Sequence, residues 1–331
     1  MGFIFDIVMG KPIWMWAAFM AIVGFLLAFD LGVLHRKQRE VGIKESLWMS
    51  TFYIGIALIF GAWVWYNLGA QSGKEYLTGF IVEKTLAMDN VFIISLIFSY
   101  FAIPRIYQHK VLFWGILGVI VLRAMMIGLG ATLVAQFSWI LHIFAAFLIL
   151  TGIKMLWMGE KLPNIENNPL LRFIRKNFRI SKELNKDKFT VKLPNPKTGK
   201  AVTYGTPLLV ALVLIEFVDL IFALDSIPAI FTITLDPYIV YTSNIFAILG
   251  LRALYFALAA IIHKFKYLKQ ALAFVLIFIG SKGFIAYAMG IEKFPASISL
   301  AVTFALILGG IAISLYKTSN MNADRKLRSG S

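Results

Sequence analysis

Nine windows of predominantly apolar residues divide this chain, at 13–34, 46–66, 77–100, 111–131, 137–157, 207–232, 239–262, 268–289 and 296–316. Each is close to the roughly 20 residues a helix needs to cross about 30 Å of hydrocarbon. Hydrogen bonding within the segment is the way a backbone survives there, so the windows imply helices. The expected fold class is therefore an all-α polytopic membrane protein with about nine transmembrane helices. The first window is too long for the apolar part of a secretion signal, and no small-residue cleavage site follows it, so it reads as a retained span.

Charge supplies the orientation. The chain carries a formal net charge of +15, which in a soluble protein would suggest a nucleic-acid partner. Here the basic residues gather in alternate connections: Arg36, Lys37, Arg39 and Lys44, then Arg105 and Lys110, then 158–206, then Lys264, Lys266 and Lys269. Basic loops stay in the cytoplasm, which predicts an outer N-terminus and a cytoplasmic C-terminus in a bacterial inner membrane, with no nucleic-acid partner. Within 158–206 the alternation at Phe189–Leu193, followed by the turn-prone Pro196-Lys197-Thr198-Gly199, predicts a small hairpin. Trp14, Trp16, Trp48, Trp63, Trp65 and Trp157 are expected in an interfacial belt.

Against this apolar background two stretches stand out. Val82-Glu83-Lys84-Thr85-Leu86-Ala87-Met88-Asp89-Asn90-Val91 is echoed by Val218-Asp219-Leu220-Ile221-Phe222-Ala223-Leu224-Asp225-Ser226-Ile227. A carboxylate at bilayer depth costs about 3 kcal/mol on insertion scales and more in simulations, so intramembrane acids mark function or pairing. The echo continues: Leu122-Arg123-Ala124 matches Leu251-Arg252-Ala253, and Gly152-Ile153-Lys154 matches Gly280-Ser281-Lys282. Two three-helix units result, and an odd helix number makes the second enter from the opposite side. Inverted repeats of this kind hold their site near the midplane, where the units meet. The expected division is 1–76 (two N-terminal helices), 77–157 (first repeat), 158–206 (basic loop), 207–289 (inverted second repeat) and 290–331 (last helix and tail).

On a regular helix Glu83 and Asp89 lie about 120° apart, while Asn90 falls nearly in line with Glu83, and Ser226 with Asp219. Pro228 removes a donor and frees the Leu224 carbonyl, so a local break is expected there. Glu216 adds a fifth carboxylate. The candidate metal ligands are thus Glu83, Asp89, Asn90, Glu216, Asp219, Asp225 and Ser226, with Asn244 nearby. All are oxygen donors, and the chain has no cysteine. Such ligands suit Mg²⁺, Ca²⁺ or Mn²⁺ over zinc or copper. Excess negative charge would be met by protons or by Arg123, Arg252, Lys154 and Lys282.

The run Glu83-Lys84-Thr85 through Asp89-Asn90-Val91-Phe92, then Tyr107-Gln108-His109-Lys110-Val111-Leu112-Phe113-Trp114-Gly115 and Leu122-Arg123-Ala124, resembles the TerC family. Phe222-Ala223-Leu224-Asp225-Ser226-Ile227-Pro228-Ala229 and Ser243-Asn244-Ile245-Phe246-Ala247 extend the likeness, which runs from about Asp30 to Lys282. The family comprises integral membrane proteins named for tellurium resistance, within a wider group of exporters built from inverted three-helix repeats. The resemblance implies manganese efflux, with the intramembrane acids at Glu83, Asp89, Glu216, Asp219 and Asp225.

The expected function is secondary export of a divalent cation, Mn²⁺ first, in exchange for protons, with the ion as substrate and no bound cofactor. Besides the ion, the expected partner is the lipid bilayer. The alternatives are a Ca²⁺ exporter of the same architecture and a membrane scaffold for tellurite or another oxyanion that uses Arg123, Arg252 and the basic loop. The competing structural account of the acids is ion pairing with those arginines, which would only hold the bundle together. Lys154 and Lys282 could simply snorkel to headgroups. Asp30 stands between site and surface. No nucleophile–base set or nucleotide loop is visible, so an enzyme is not expected.

Overall fold

The computed structural model describes residues 6–32, 42–137, 139–157, 165–166, 168–181, 183–194, 200–258, 268–289 and 294–329; within these the side chains of Asp30, Asp89 and parts of 268–329 lie outside the description. A two-residue hairpin, β1 (Ile7–Val8) and β2 (Lys11–Pro12), leads into α1 (Ile13–Gly32), α2 (Ile43–Leu68), α3 (Ala70–Tyr100), α4 (Arg105–Gln136) and α5 (Ile140–Trp157). A short α6 (Pro169–Asn177) and the hairpin β3 (Thr190–Pro194) and β4 (Ala201–Gly205) follow. The chain ends in α7 (Pro207–Ile233), α8 (Pro237–Leu249), α9 (Leu251–Leu258), α10 (Leu268–Ala288) and α11 (Ala296–Ser329).

The all-α polytopic expectation holds. Among the described residues five helices (α2, α4, α5, α7 and residues 296–314 of α11) are long and apolar enough to cross a membrane, and the bent pair α8–α9 makes a sixth. The apolar parts of α1 and α10 are shorter. Helix α3 is less apolar because it carries Lys74, Glu75, Glu83, Lys84 and Asp89, yet its 31 residues span about 46 Å at 1.5 Å per residue. It is surrounded by α2, α7, α8, α9, α10 and α11. Of those charges Glu75, Glu83 and Lys84 are buried and so face protein rather than lipid.

Three packings position the centre of the bundle. Aromatic rings clamp α8 from outside: Phe19 of α1 and Phe60 of α2 close on Phe246, at 5.7 and 4.7 Å between centroids. Residues 244 and 246 lie about 200° apart on a helix, so this clamp turns Asn244 inward. Second, α3 packs on α8 while α4 packs on α7. Third, α5 and α10 approach through glycine. A Cβ on Gly152 would stand 2.7 Å from the Ala273 carbonyl oxygen, and one on Gly280 would stand 2.6 Å from that of Ala145. Each glycine thus meets the alanine seven residues before the other. Close backbone approach through small residues is the usual means of association in lipid, where apolar surface gains nothing by leaving the hydrocarbon.

Two local expectations change. Pro228 does not break its helix: α7 runs unbroken to Ile233. The break falls at Gly250, where α8 and α9 meet at 40°. Proline removes one hydrogen bond that packed neighbours can spare, whereas Gly250 admits side chains that a Cβ would strike, Lys84 Nζ at 2.8 Å and Tyr53 Cβ at 3.2 Å. The tryptophan belt is also incomplete. Trp14, Trp48, Trp65 and Trp157 are exposed, but Trp16 and Trp63 pack inward on the aromatic clamp.

The hairpin expected in 158–206 is present. β3 and β4 pair antiparallel from Thr190 with Gly205 to Pro194 with Ala201, and the turn at 195–199 lies outside the described residues. The Asn168 side chain caps α6. Lys110 donates to the Asp187 carboxylate at 2.9 Å and to its carbonyl at 2.8 Å, tying this region to the start of α4. That contact holds the Asp187 carboxyl below its ordinary range.

Candidate functional site

Arg123, on α4, is the centre. It is 1% exposed and reaches four side chains on three other helices. Its Nε and Nη2 donate to the two oxygens of Asp219, at 3.2 and 3.0 Å, a bidentate pair. Its Nη1 donates to Glu83 Oε1 and, at 2.9 Å, to Asn244 Oδ1, with Ser226 Oγ at 3.4 Å. Asn90 Nδ2 donates to Asp219 Oδ1 at 3.2 Å. Fork-to-carboxylate geometry is the strong form of a charged hydrogen bond and suits arginine rather than lysine.

The helical positions explain the convergence. Residues seven apart fall within about 20° of one another on a helix, so α3 presents Glu83 and Asn90 together and α7 presents Asp219 and Ser226. Asn90 meets Asp219, while Glu83 and Ser226 share Nη1 of Arg123. The two helices therefore pass the arginine in opposite directions, each acid facing the small polar residue of the other.

Glu216 stands one turn before Asp219, close enough to feel its charge. Two glycines of α4 make room for it. A Cβ on Gly118 would lie 2.6 Å from its carboxyl carbon, and one on Gly115 would lie 3.8 Å from Oε1. Beside this group is a small cavity bordered by Asn90, Gly115, Ile215, Val218, Asp219 and Arg252. Its volume of about 20 Å³ suits a single water-sized occupant. Three buried oxygens in the cluster have no hydrogen-bond partner: Glu83 Oε2, Asn90 Oδ1 and Glu216 Oε2.

Of the seven expected ligands, Glu83, Asn90, Asp219 and Ser226 come together around Arg123, and Glu216 lies one turn before Asp219 against Gly115 and Gly118. Asp225 does not join them. Six residues beyond Asp219, and so about 120° around the helix, it faces α5, where Thr151 Oγ1 lies 3.4 Å from Oδ1 and Lys154 adds its charge. The Asp89 side chain lies outside the described residues. Among the described residues no three acids or histidines converge as a ready metal cluster; the two central acids converge on Arg123 instead, which is the pairing weighed against an ion site.

Sequence reasoning missed Lys84. Its buried ammonium donates to the Ala247 carbonyl at 3.0 Å, the carbonyl left near the α8–α9 break, and so caps α8 in the middle of the bundle. The glycine pair Gly115 and Gly118 was missed too; the two stand three apart, not at the four-residue spacing that commonly marks close helix approach.

The family profile described as "Integral membrane protein TerC family" matches residues 68–322. An uncharacterized membrane protein of Rickettsia felis is 50% identical over 302 residues, covering 91% of this chain and 97% of its own. Membrane protein STKORF319 of Myxococcus xanthus is 45% identical over 305 residues, 92% of each chain. Alx of Escherichia coli K12, named as a candidate membrane-bound redox modulator, is 41% identical over 308 residues, 90% of this chain and 93% of its own. No solved structure matches.

Proposed function

This chain belongs to the TerC family of integral membrane proteins, and from that premise we propose that it is a secondary exporter of a divalent cation, Mn²⁺ first. The observation that carries the reading is the set of unpartnered oxygens. Buried polar atoms are almost always hydrogen-bonded, and three acceptors left without donors near Arg123 and Asp219 call for a positive ligand; of their residues only Asn90 borders the one-occupant cavity. Glu83, Asn90, Glu216, Asp219 and Ser226 offer oxygen alone, which favours Mn²⁺, Ca²⁺ or Mg²⁺. Preference for Mn²⁺ over Ca²⁺ rests on the resemblance of the motifs.

Arg123 acts in this reading as a tethered cation that offsets one of the two charges of Glu83 and Asp219 while the ion is absent. Glu216, on the far side of Asp219, supplies the charge that Arg123 leaves unbalanced. Proton uptake by the same carboxylates is the natural counter-transport. Two inverted repeats, α3–α5 and α7–α10, fit the packing. Exchanging the units turns the α3–α8 contact into α7–α4 and the Gly152–Ala273 contact into Gly280–Ala145. The nine-crossing topology, inner-membrane placement and cytoplasmic C-terminus belong to the same proposal, with Asp89 and Asp225 as flanking acids of the pathway. The redox role in the name of the Alx relatives could not run through thiols in this chain, which has none.

Titrating the purified protein with Mn²⁺, Ca²⁺ and Mg²⁺ tests the reading. Saturable Mn²⁺ binding is expected, weakened at least tenfold in Glu216→Gln and in Asn90→Ala, on the basis of about 1.4 kcal/mol or more for one lost ligand. Manganese flux into proteoliposomes should fall in parallel. Binding that is absent, or indifferent to both substitutions, would remove the proposal.

A further inference from the structure

A second cavity, larger and polar, lies in the same seam. About 150 Å³ in volume, it is bordered by Ser95 and Ser99 of α3, Arg105 and Gln108 of α4, and Tyr255 and Phe256 of α9. It adjoins the ion-site cavity along the same helices: Ser95 follows Ile94 directly, Gln108 precedes Leu112 by four, and Tyr255 follows Arg252 by three. This is the end of the bundle that carries the basic α6 and Lys110.

Its wall holds no anionic acceptor among the described residues. Gln108 Oε1 already accepts from the Tyr255 hydroxyl at 3.0 Å. The Ile103 carbonyl accepts from Gln108 Nε2 at 2.8 Å, and the Ser95 carbonyl accepts from Ser99 Oγ at 2.8 Å. The Ser95, Ser99 and Tyr255 hydroxyls can donate or accept, and the fixed charge on the wall is that of Arg105. Arg105 makes no ion pair among the described residues, Gln108 keeps a second amide hydrogen, and no carboxylate borders the space. α4 begins at Arg105 without a side-chain cap, so its dipole adds positive potential at the same corner. A dication entering here would meet Arg105 first; an anion would be drawn in.

We propose that this cavity binds a phosphate-type oxyanion, held by the Arg105 guanidinium and the Gln108 amide. A tetrahedral phosphate fits both the volume and the planar fork of arginine. The same chemistry is offered by inorganic phosphate and by the headgroup of a phospholipid. This site is separate from the ion centre and stands whether or not the protein moves a cation.

The test uses the full chain in phosphate-free detergent, with wild type compared with Arg105→Gln and Arg105→Lys. Arg105 is exposed at its mouth, so both variants should melt like wild type before any addition. In one arm inorganic phosphate is titrated against chloride of equal ionic strength while thermal unfolding is followed by tryptophan fluorescence. In the other, phosphatidylglycerol retained by the protein is counted by native mass spectrometry. Free phosphate as ligand gives a saturable rise in the wild-type midpoint, with affinity reduced about tenfold or more in Arg105→Gln and less in Arg105→Lys. Lipid as ligand gives no phosphate shift but one more phosphatidylglycerol retained by wild type than by Arg105→Gln. Identical phosphate response and identical lipid count in wild type and Arg105→Gln would overturn the assignment.

Discussion

Replacing Arg123 with methionine separates the two accounts of the central acids. Methionine keeps most of the apolar stem, so packing changes little. The loss is electrostatic: Glu83 and Asp219, 1% and 7% exposed as side chains, are left without their counter-charge, and Asn244 Oδ1 loses its donor. Removing one partner of a buried ion pair costs about 3–5 kcal/mol, and that is the expected drop, measured by unfolding the protein in detergent and following its tryptophans. If the arginine is a tethered stand-in for the transported ion, a dication should repair the damage. Mn²⁺ at a hundredfold excess over its dissociation constant stabilises by about 2.7 kcal/mol, so most of the loss should return on adding Mn²⁺. Wild type should gain less, since there the ion must share its acids with the guanidinium. A variant destabilised by the expected amount but no steadier with Mn²⁺ or Ca²⁺ would mean that the acids exist for the arginine, and the ion site would be refuted.

Gly118→Ala should cost about 1–3 kcal/mol by overpacking against Glu216, and nearly nothing when Glu216 is also alanine; an equal cost in both backgrounds, in a double-mutant cycle of melting temperatures, would contradict the placement. Gly152→Ala and Gly280→Ala should each part α5 from α10 and lower stability by similar amounts, about 1–3 kcal/mol, with unequal effects counting against exchangeable units. Lys84→Met uncovers the Ala247 carbonyl at a cost of about 1–3 kcal/mol, and hydrogen exchange should then quicken around Gly250 before it does elsewhere in α8. Asp187 has a carboxyl held below its ordinary value of 3.8 by Lys110. Its contribution is present above that value and lost as pH falls below it, so proteolysis of the 165–206 region should accelerate only in strong acid, and Asp187→Asn should abolish that dependence.

Much of the fold was readable because lipid leaves a chain few options. Windows of about 20 apolar residues had to be helices, and each expected window coincides with one, α8 and α9 sharing a window. The spacing of seven in Glu83/Asn90 and Asp219/Ser226 correctly put each pair on one helical face. Periodicity does not say which neighbour a face meets, and there the reading failed. Asp225 was grouped with Asp219 because both lie in one motif, although 120° of helix sends it to Thr151. Arg123 was read as a compensating charge or an ion-pair partner of the acids, and periodicity could not choose between these; the packing of α4 on α7 brings it between Glu83 and Asp219. Pro228 looked like a helix breaker on intrinsic grounds, whereas Gly250 bends its helix because Lys84 and Tyr53 fill the space where a Cβ would stand.

The asymmetry between the proposed repeats is what turns a structural ion pair into a site. Two inverted copies alone would place two acids at the seam, and one arginine, donating to both, offsets one of their two charges, so a single proton would complete the balance without an ion. Glu216 has no acidic counterpart in the first copy, and it is held where only the Gly115–Gly118 face of α4 could admit it. It adds a third carboxylate to a centre with one guanidinium among its direct partners, together with an oxygen that no protein donor satisfies. A residue whose burial requires a glycine opposite, and whose charge the bundle does not balance, is costly to keep for stability alone. Glu216→Gln should therefore leave the protein as stable as wild type or more so while abolishing Mn²⁺ binding; a variant that lost stability and kept the ion would show that Glu216 serves the fold.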